Sequence, residues 1–196
     1  MARSKEFDQE KALRKAVRLF SQQGFAATST DELMRVMGVG RQSMYDTFGD
    51  KRELFLRALE MYVTESVQSI NAELEKPGSA LSAVRNALVT FAERTDLSSP
   101  EGCMGLNAIC EFGQRDSEVT RITRNAARSQ RHTLMLTLAR AKNQGELNPN
   151  ADLDIMADFF ESTLAGIRMA AKAGKKRRAL QNIAAFAGRV YMGSDR

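Results

Sequence analysis

Residues 29–48 read STDELMRVMGVGRQSMYDTF, and this stretch decides the fold. Ser29 followed by Glu32 has the spacing of a capping box, in which a hydroxyl and a carboxylate satisfy the first free N–H groups of a helix. The helix it opens buries Leu33, Val36 and Met37, and Gly38 stops it. A tight corner, Gly38-Val39-Gly40, leads into a second short helix from Arg41 to Phe48. Leu33, Met37, Val39, Met44 and Phe48 are expected to lock the two helices at a fixed crossing. That is the layout of a helix-turn-helix. Arg41, Gln42, Tyr45, Asp46 and Thr47 are left on the outer face of the second helix, as groups able to reach base edges or phosphates. Arg41, Gln42 and Thr47 would also suit an ordinary solvated surface, and Tyr45, like Phe48, would also suit a core.

On the N-terminal side, Leu13, Ala16, Val17 and Phe20 recur at helical spacing, predicting a helix from about Phe7 to Gln23 that ends at Gly24. On the other side, Asp50 caps a long helix from Lys51 to about Glu75, stopped by Lys76-Pro77-Gly78. Further helices are predicted at Ser79 to Asp96, Cys103 to Phe112, Ser117 to Asn143, Leu153 to Ala173 and Arg177 to Met192. Pro77, Pro100 and Pro149, the three prolines of the chain, fall between these segments. No stretch sustains period-two alternation, so the expected class is all-α with about nine helices. The organisation is a three-helix N-terminal domain, residues 1–50, and a helical bundle, residues 51–196, with no flexible linker between them.

Beyond the helix-turn-helix, a longer pattern is visible: Gly24-Phe25, Thr28-Ser29, Gly38-Val39, then Met44-Tyr45-Asp46-Thr47-Phe48-Gly49-Asp50-Lys51-Arg52-Glu53-Leu54-Phe55. This resembles the TetR family of transcription regulators, strongly over the first sixty residues and more loosely beyond. Gly40 stands where that family usually has a small hydroxyl residue, and Met44 where it has a branched aliphatic. The first change removes a side-chain cap at a cost of a few tenths of a kcal/mol, and the second conserves volume.

The resemblance implies a homodimer that binds a double-stranded DNA operator and answers to a small-molecule effector. Carried over residue by residue, it implies that Lys51 grips a phosphate at the start of the long helix. Thr28, Ser29, Ser43 and Tyr45 would hydrogen-bond phosphates, Arg41 and Gln42 would read guanine or adenine, and Asp46 would accept from a cytosine amino group. The last helical pair would form a four-helix seam with the second protomer, through Phe160, Thr163, Gly166, Ile167 and Ala170 on one helix. Ile183, Ala187 and Val190 would complete it on the other. Small residues at Gly166, Ala170 and Ala187 would let backbones approach closely.

Composition agrees. The net charge is +5, and residues 1–52 hold more than half of that excess, as a polyanion-binding segment would. Residues 1–6 precede no apolar run and no stretch approaches ~18 uninterrupted apolar residues, so neither a secretory signal nor a membrane span is expected, and the cytoplasm fits. Cys103 and Cys110 are expected as free, buried, structural thiols, with a thiol sensor as the minority reading. The single histidine, His132, rules against a histidine-cluster metal site. No nucleophile–base constellation is visible, so neither an enzyme nor a cofactor is expected.

The segment Cys103–Phe112 is apolar nearly all round and is expected inside the bundle. Asn107 and Glu111 interrupt it: either they satisfy backbone groups or a nearby arginine such as Arg115, or they orient an effector. Tyr62, Phe91 and Met104 are candidate walls of an effector pocket, with Met135, Met156 and Phe159, although apolar residues at helical spacing are more often plain core. The rival readings are an activator of the same fold and a helical ligand-binding or thiol-redox sensor that does not bind DNA.

Overall fold

A computed structural model describes residues 7–98 and 103–192. These residues form nine helices: α1 Gln9–Ala27, α2 Thr30–Met37, α3 Arg41–Phe48, α4 Lys51–Leu74, α5 Ala80–Ser98, α6 Met104–Phe112, α7 Ser117–Asn143, α8 Leu153–Lys172 and α9 Arg177–Met192. Pro100, expected as a break, lies outside the described residues.

Local chemistry sets the ends of the first helices. Asp8 caps α1, its carboxylate accepting from the Lys11 N–H at 3.0 Å. The regular helix breaks at Gly24 (φ 80°, ψ −175°), and one further turn reaches Ala27. Ser29 caps α2 by accepting from the Glu32 N–H at 3.2 Å, while the Glu32 carboxylate accepts from Gln23 Nε2 at 3.0 Å. The complete reciprocal box stands at α4, where Asp50 accepts from the Glu53 N–H at 2.8 Å and Glu53 accepts from the Asp50 N–H at 3.0 Å.

The described residues fall into two compact units. The first draws on Met1–Val63 and Glu101–Thr123, the second on Thr64–Pro100 and Arg124–Arg196. In the first, α1 packs against α2 and α6. Its core holds Ala16, Phe20, Leu33, Met44, Leu54, Phe55, Leu59 and Met104. Phe20, Phe25, Phe55 and Phe112 form an aromatic cluster with ring centroids 5.0–6.5 Å apart, and each such pair adds roughly 0.5–1.5 kcal/mol beyond plain burial. The apolar helix α6 is therefore built into the unit that contains the helix-turn-helix. Its outer side is open: Ile109 and Cys110 are exposed, so Cys110 is not the buried thiol expected of it.

In the second unit α5 packs against α8 and α9, and α8 against α9. Leu74, Leu88, Leu134, Leu138, Phe160, Leu164, Ile167 and Leu180 are buried there. A Cβ added at Gly188 on α9 would lie 2.7 Å from Arg85 Cγ on α5, so the close approach within the protomer is at Gly188. Of the small residues expected to permit close packing, Ala170 is half-buried against the core cluster, and a Cβ at Gly166 would meet nothing within 4 Å. The buried Tyr191 hydroxyl donates to the Met156 carbonyl at 2.7 Å, and burial raises its pKa above the ordinary phenol value.

Candidate nucleic-acid interface

The corner between α2 and α3 is closed by backbone hydrogen bonds, with Lys15 Nζ also donating to the Met37 carbonyl at 3.4 Å. Gly38 adopts the left-handed conformation (φ 75°, ψ 35°), and its N–H donates to the Met34 carbonyl at 2.9 Å. Val39 N–H shares that carbonyl at 3.2 Å. Gly40 then caps α3 without a side-chain bond. Met44 and Phe48 are the buried face of α3, at 0% and 2% exposure. By the helical period, Arg41, Gln42, Tyr45 and Asp46 fall on the open side, and all four are exposed. Tyr45 is 44% exposed, which separates it from Phe48 as a surface rather than a core aromatic. Ser43 and Thr47 are half-buried at the flanks.

The polar groups of this face are already ordered. Arg41 Nη2 donates to Asp31 Oδ1 on α2 at 2.8 Å, and Gln42 Nε2 donates to Asp46 Oδ1 at 2.8 Å. The Thr47 carbonyl accepts from Arg57 Nη1 on α4 at 2.9 Å, fixing the end of α3. Lys51, in the first turn of α4, holds its ammonium 4.4 Å from the centre of the Phe25 ring. Ser29 is exposed at the N-terminus of α2.

Thr28 is different from its neighbour. It is 1% exposed and its hydroxyl donates to the Gly24 carbonyl at 2.6 Å, closing the last turn of α1. A hydroxyl so placed is scaffold, buried and already donating, and is not open to the phosphate that the resemblance implies for Thr28.

The residues expected around an effector fall in both units. Tyr62, Met104, Asn107 and Glu111 belong to the first unit, and Phe91, Met135, Met156 and Phe159 to the second. Of the alternatives open for Asn107 and Glu111, backbone pairing is what forms. Asn107 Nδ2 donates to the Ser21 carbonyl at 2.9 Å. Glu111 accepts from the Phe25 and Ala26 N–H groups. Met104 is core, and the Tyr62 hydroxyl donates to Cys103 Sγ at 3.2 Å. In the second unit, Phe91 lies beneath the Arg168 guanidinium, 4.7 Å from its ring centre.

Phe159 belongs to another surface. It is 38% exposed and lines an open groove on α8 and α9 with Thr163, Gly166, Ile183 and Phe186. Phe160 and Ile167, expected in the protomer–protomer seam, are buried within the protomer itself, while Ala187, also expected there, lines the floor of this groove at 3% exposure. Of the expected seam residues, Ile183 and Val190 are open on this face, and Phe159, Met169 and Phe186 are open beside them. Phe186, at 63% exposure the most open of the aromatics there, was not singled out by sequence. Its position three beyond Ile183 and four before Val190 was the available signal.

Among the described residues, no group of three or more His, Cys, Asp and Glu side chains is placed to hold a metal ion. No described helix is long and apolar enough to cross a membrane.

A helix-turn-helix with a solvent-facing second helix, in an all-helical chain, defines the class of helix-turn-helix regulators. Residues 12–58 match the bacterial regulatory proteins of the tetR family, and residues 77–187 match the tetracyclin repressor-like C-terminal domain. The chain is 33% identical to YezE of Bacillus subtilis, an HTH-type transcriptional regulator, over 88% of this chain and 90% of that one. It is 28% identical to the HTH-type transcriptional repressor ComR of Escherichia coli, over 96% and 91%. A structure of the TetR-family regulator CifR, a cysteine-substituted variant with 26-bp operator DNA, superimposes with a TM-score of 0.82 at 25% identity, covering 96% of this chain and 98% of that one. The chain belongs to the TetR family of bacterial regulatory proteins.

Proposed function

We propose that the protein is a repressor that binds a palindromic DNA operator as a homodimer and is released by a small molecule. The observation that carries this reading is α3, whose exposed Arg41, Gln42, Tyr45 and Asp46 back directly onto a buried Met44 and Phe48. A rigid helix with ordered donors on its outer side is what entry into a major groove requires. Ser43 and Thr47 edge that face, Ser29 stands at the N-terminus of α2, and Lys51 stands at the start of α4 as the phosphate grip. The repressor name of ComR and the operator-bound state of CifR support the same direction.

Two-fold symmetry would place two such helices in successive major grooves, about 34–36 Å apart. The apolar face of α8 and α9 supplies the seam. Gly166, Ile183 and Val190 remain open there with the half-buried Thr163, and Phe159 and Phe186 join them, while the half-buried Ala170 packs partly against the protomer core. In this division residues 1–50 carry the DNA contact together with Lys51, the first residue beyond them, and the rest of residues 51–196 carries dimerisation and effector sensing. Such a protein performs no catalytic step and works beside the genome, in the cytoplasm.

Release would be a population shift: an effector that favours one separation of the recognition helices lowers operator affinity by its differential binding energy. The test is to select duplexes from a random-sequence pool with the purified chain and measure the salt dependence of binding to the winner. Enrichment of a palindrome with a steep salt slope, abolished by Tyr45→Ala combined with Lys51→Ala, is the expected result. A chain that enriches no sequence, or binds as a monomer, would remove the reading.

A further inference from the structure

We propose that Asp46 is a positioning residue: it fixes the amide of Gln42 so that the recognition helix reads adenine at one base pair of each half-site. The inference rests on the DNA-binding reading and adds to it the base and the residue that dictates it.

The argument begins with what a carboxylate can do. A carboxylate accepts hydrogen bonds and has none to give. Its Oδ1 is 2.8 Å from Gln42 Nε2, so the Gln42 edge turned toward it is the NH2 edge and the carbonyl oxygen points elsewhere. Oxygen–oxygen repulsion further selects the N–H remote from Oε1. One N–H and Oε1 then remain side by side on the free edge of a planar group. Both residues are exposed, four apart on one face of α3, a spacing at which a Gln–Asp hydrogen bond also supports the helix.

An adjacent donor and acceptor match one base in the major groove. Adenine offers an acceptor at N7 beside a donor at N6, whereas guanine offers two acceptors, cytosine a donor, and thymine an acceptor beside a methyl group. The locked amide suits adenine alone with two bonds. A free amide can turn over and meet other pairs with one bond each. Arg41 does not compete for the same role in this state, because Asp31 holds its guanidinium toward α2 at 2.8 Å.

The arrangement also accounts for an acidic side chain on a helix that faces phosphates. Asp46 weakens attraction to any DNA, and in exchange it sharpens the choice between sequences. The two effects have opposite signs, which separates this role from a merely structural one.

The experiment uses the full chain and duplexes selected from a random-sequence pool, with each base pair then varied in turn. Wild-type protein prefers A·T at one position of the half-site by about tenfold or more, and 7-deaza-adenine there, which lacks the N7 acceptor, removes the preference. Asp46→Ala flattens the preference at that same pair while binding to mixed-sequence DNA becomes tighter. Gln42→Ala flattens it too, and the double variant flattens it no further. If Asp46→Ala leaves every base preference intact, or erases a preference for cytosine at a different pair even when Gln42 is alanine, the proposal is wrong and DNA binding stands. If the wild-type chain selects no sequence, the DNA-binding reading falls and this proposal with it.

Discussion

Glu111 on α6 is hydrogen-bonded to the backbone of Phe25, 86 residues earlier in the chain. Its two carboxylate oxygens lie 3.0 and 3.1 Å from the Phe25 nitrogen, and one of them lies 3.0 Å from the Ala26 nitrogen. The N–H groups freed where α1 breaks at Gly24 are thereby capped by a charge from a different helix. Phe25 in turn carries Lys51 on its ring, so α6, the end of α1 and the start of α4 meet at one residue.

This geometry predicts a specific non-additivity. A Cβ at Gly24 would collide with Glu111 Oε1, on a backbone with φ of +80°. Gly24→Ala therefore suffers both strain and collision, and should cost about 1–3 kcal/mol. Glu111→Ala alone should cost about 1–2 kcal/mol, because water reaches the exposed N–H groups it leaves. With Glu111 already alanine, only the strain at Gly24 remains, so the double variant is less destabilised than the two single losses added together. Urea unfolding of the four proteins measures the difference.

Gly40 caps α3 in an extended conformation (φ −74°, ψ 160°) that any residue adopts, and a Cβ there meets nothing within 4 Å. Gly40→Ser should stabilise the protein by about 0.5–1 kcal/mol, chiefly by restricting the unfolded chain, with a few tenths from the new hydroxyl cap. A lower thermal midpoint than wild type would contradict this.

Arg52 grips Asp116 through two bonds, at 2.6 and 3.1 Å, and reaches Glu118 at 2.9 Å. Asp116 also accepts from the N–H groups of Glu118 and Val119 at the start of α7. Arg52 first, and these backbone donors after it, hold the carboxyl at about 2, below its ordinary 3.8. A depressed acid contributes its stability above the unfolded value and loses it as protons return. The contribution should be complete above about pH 4 and fade toward pH 2. Acid unfolding of Asp116→Asn should be flatter than wild type across that window, and identical slopes would refute the assignment.

Asp31 withholds Arg41 from solvent anions through an exposed pair at 2.8 Å. Asp31→Ala frees the guanidinium and removes a negative charge beside the proposed interface. Affinity for mixed-sequence DNA should rise, and the slope of log K against log salt should steepen by about one. A fluorescence anisotropy titration at several salt concentrations would detect either change.

The helix-turn-helix was legible because its signals are local. Gly38 ends one helix, Gly40 opens the next, and the period alone separates Met44 and Phe48 from Arg41, Gln42 and Tyr45. The placement of α6 was not legible, since an all-apolar segment says that it is buried but not against what. Glu111 has no sequence signal pointing to Phe25. Phe159 and Phe160 show the same limit at one-residue resolution. Neighbours on a helix point about 100° apart, and Phe160 is buried while Phe159 opens to the outer groove, the reverse of the expected assignment. The reciprocal bonds of Asp50 and Glu53 were within reach, as the spacing is that of a capping box with aspartate in place of serine.

The resting place of Lys51 over Phe25 has a thermodynamic consequence for an arriving anion. A free lysine surrenders roughly 1.5–2 kcal/mol of rotamer entropy when it is fixed. Here the ring has already narrowed those rotamers, so part of that entropy is lost when the chain folds and less is lost at encounter. Phe25→Leu would return that freedom to the ammonium. Calorimetry of phosphate-backbone binding would then register a more unfavourable entropy at nearly unchanged charge.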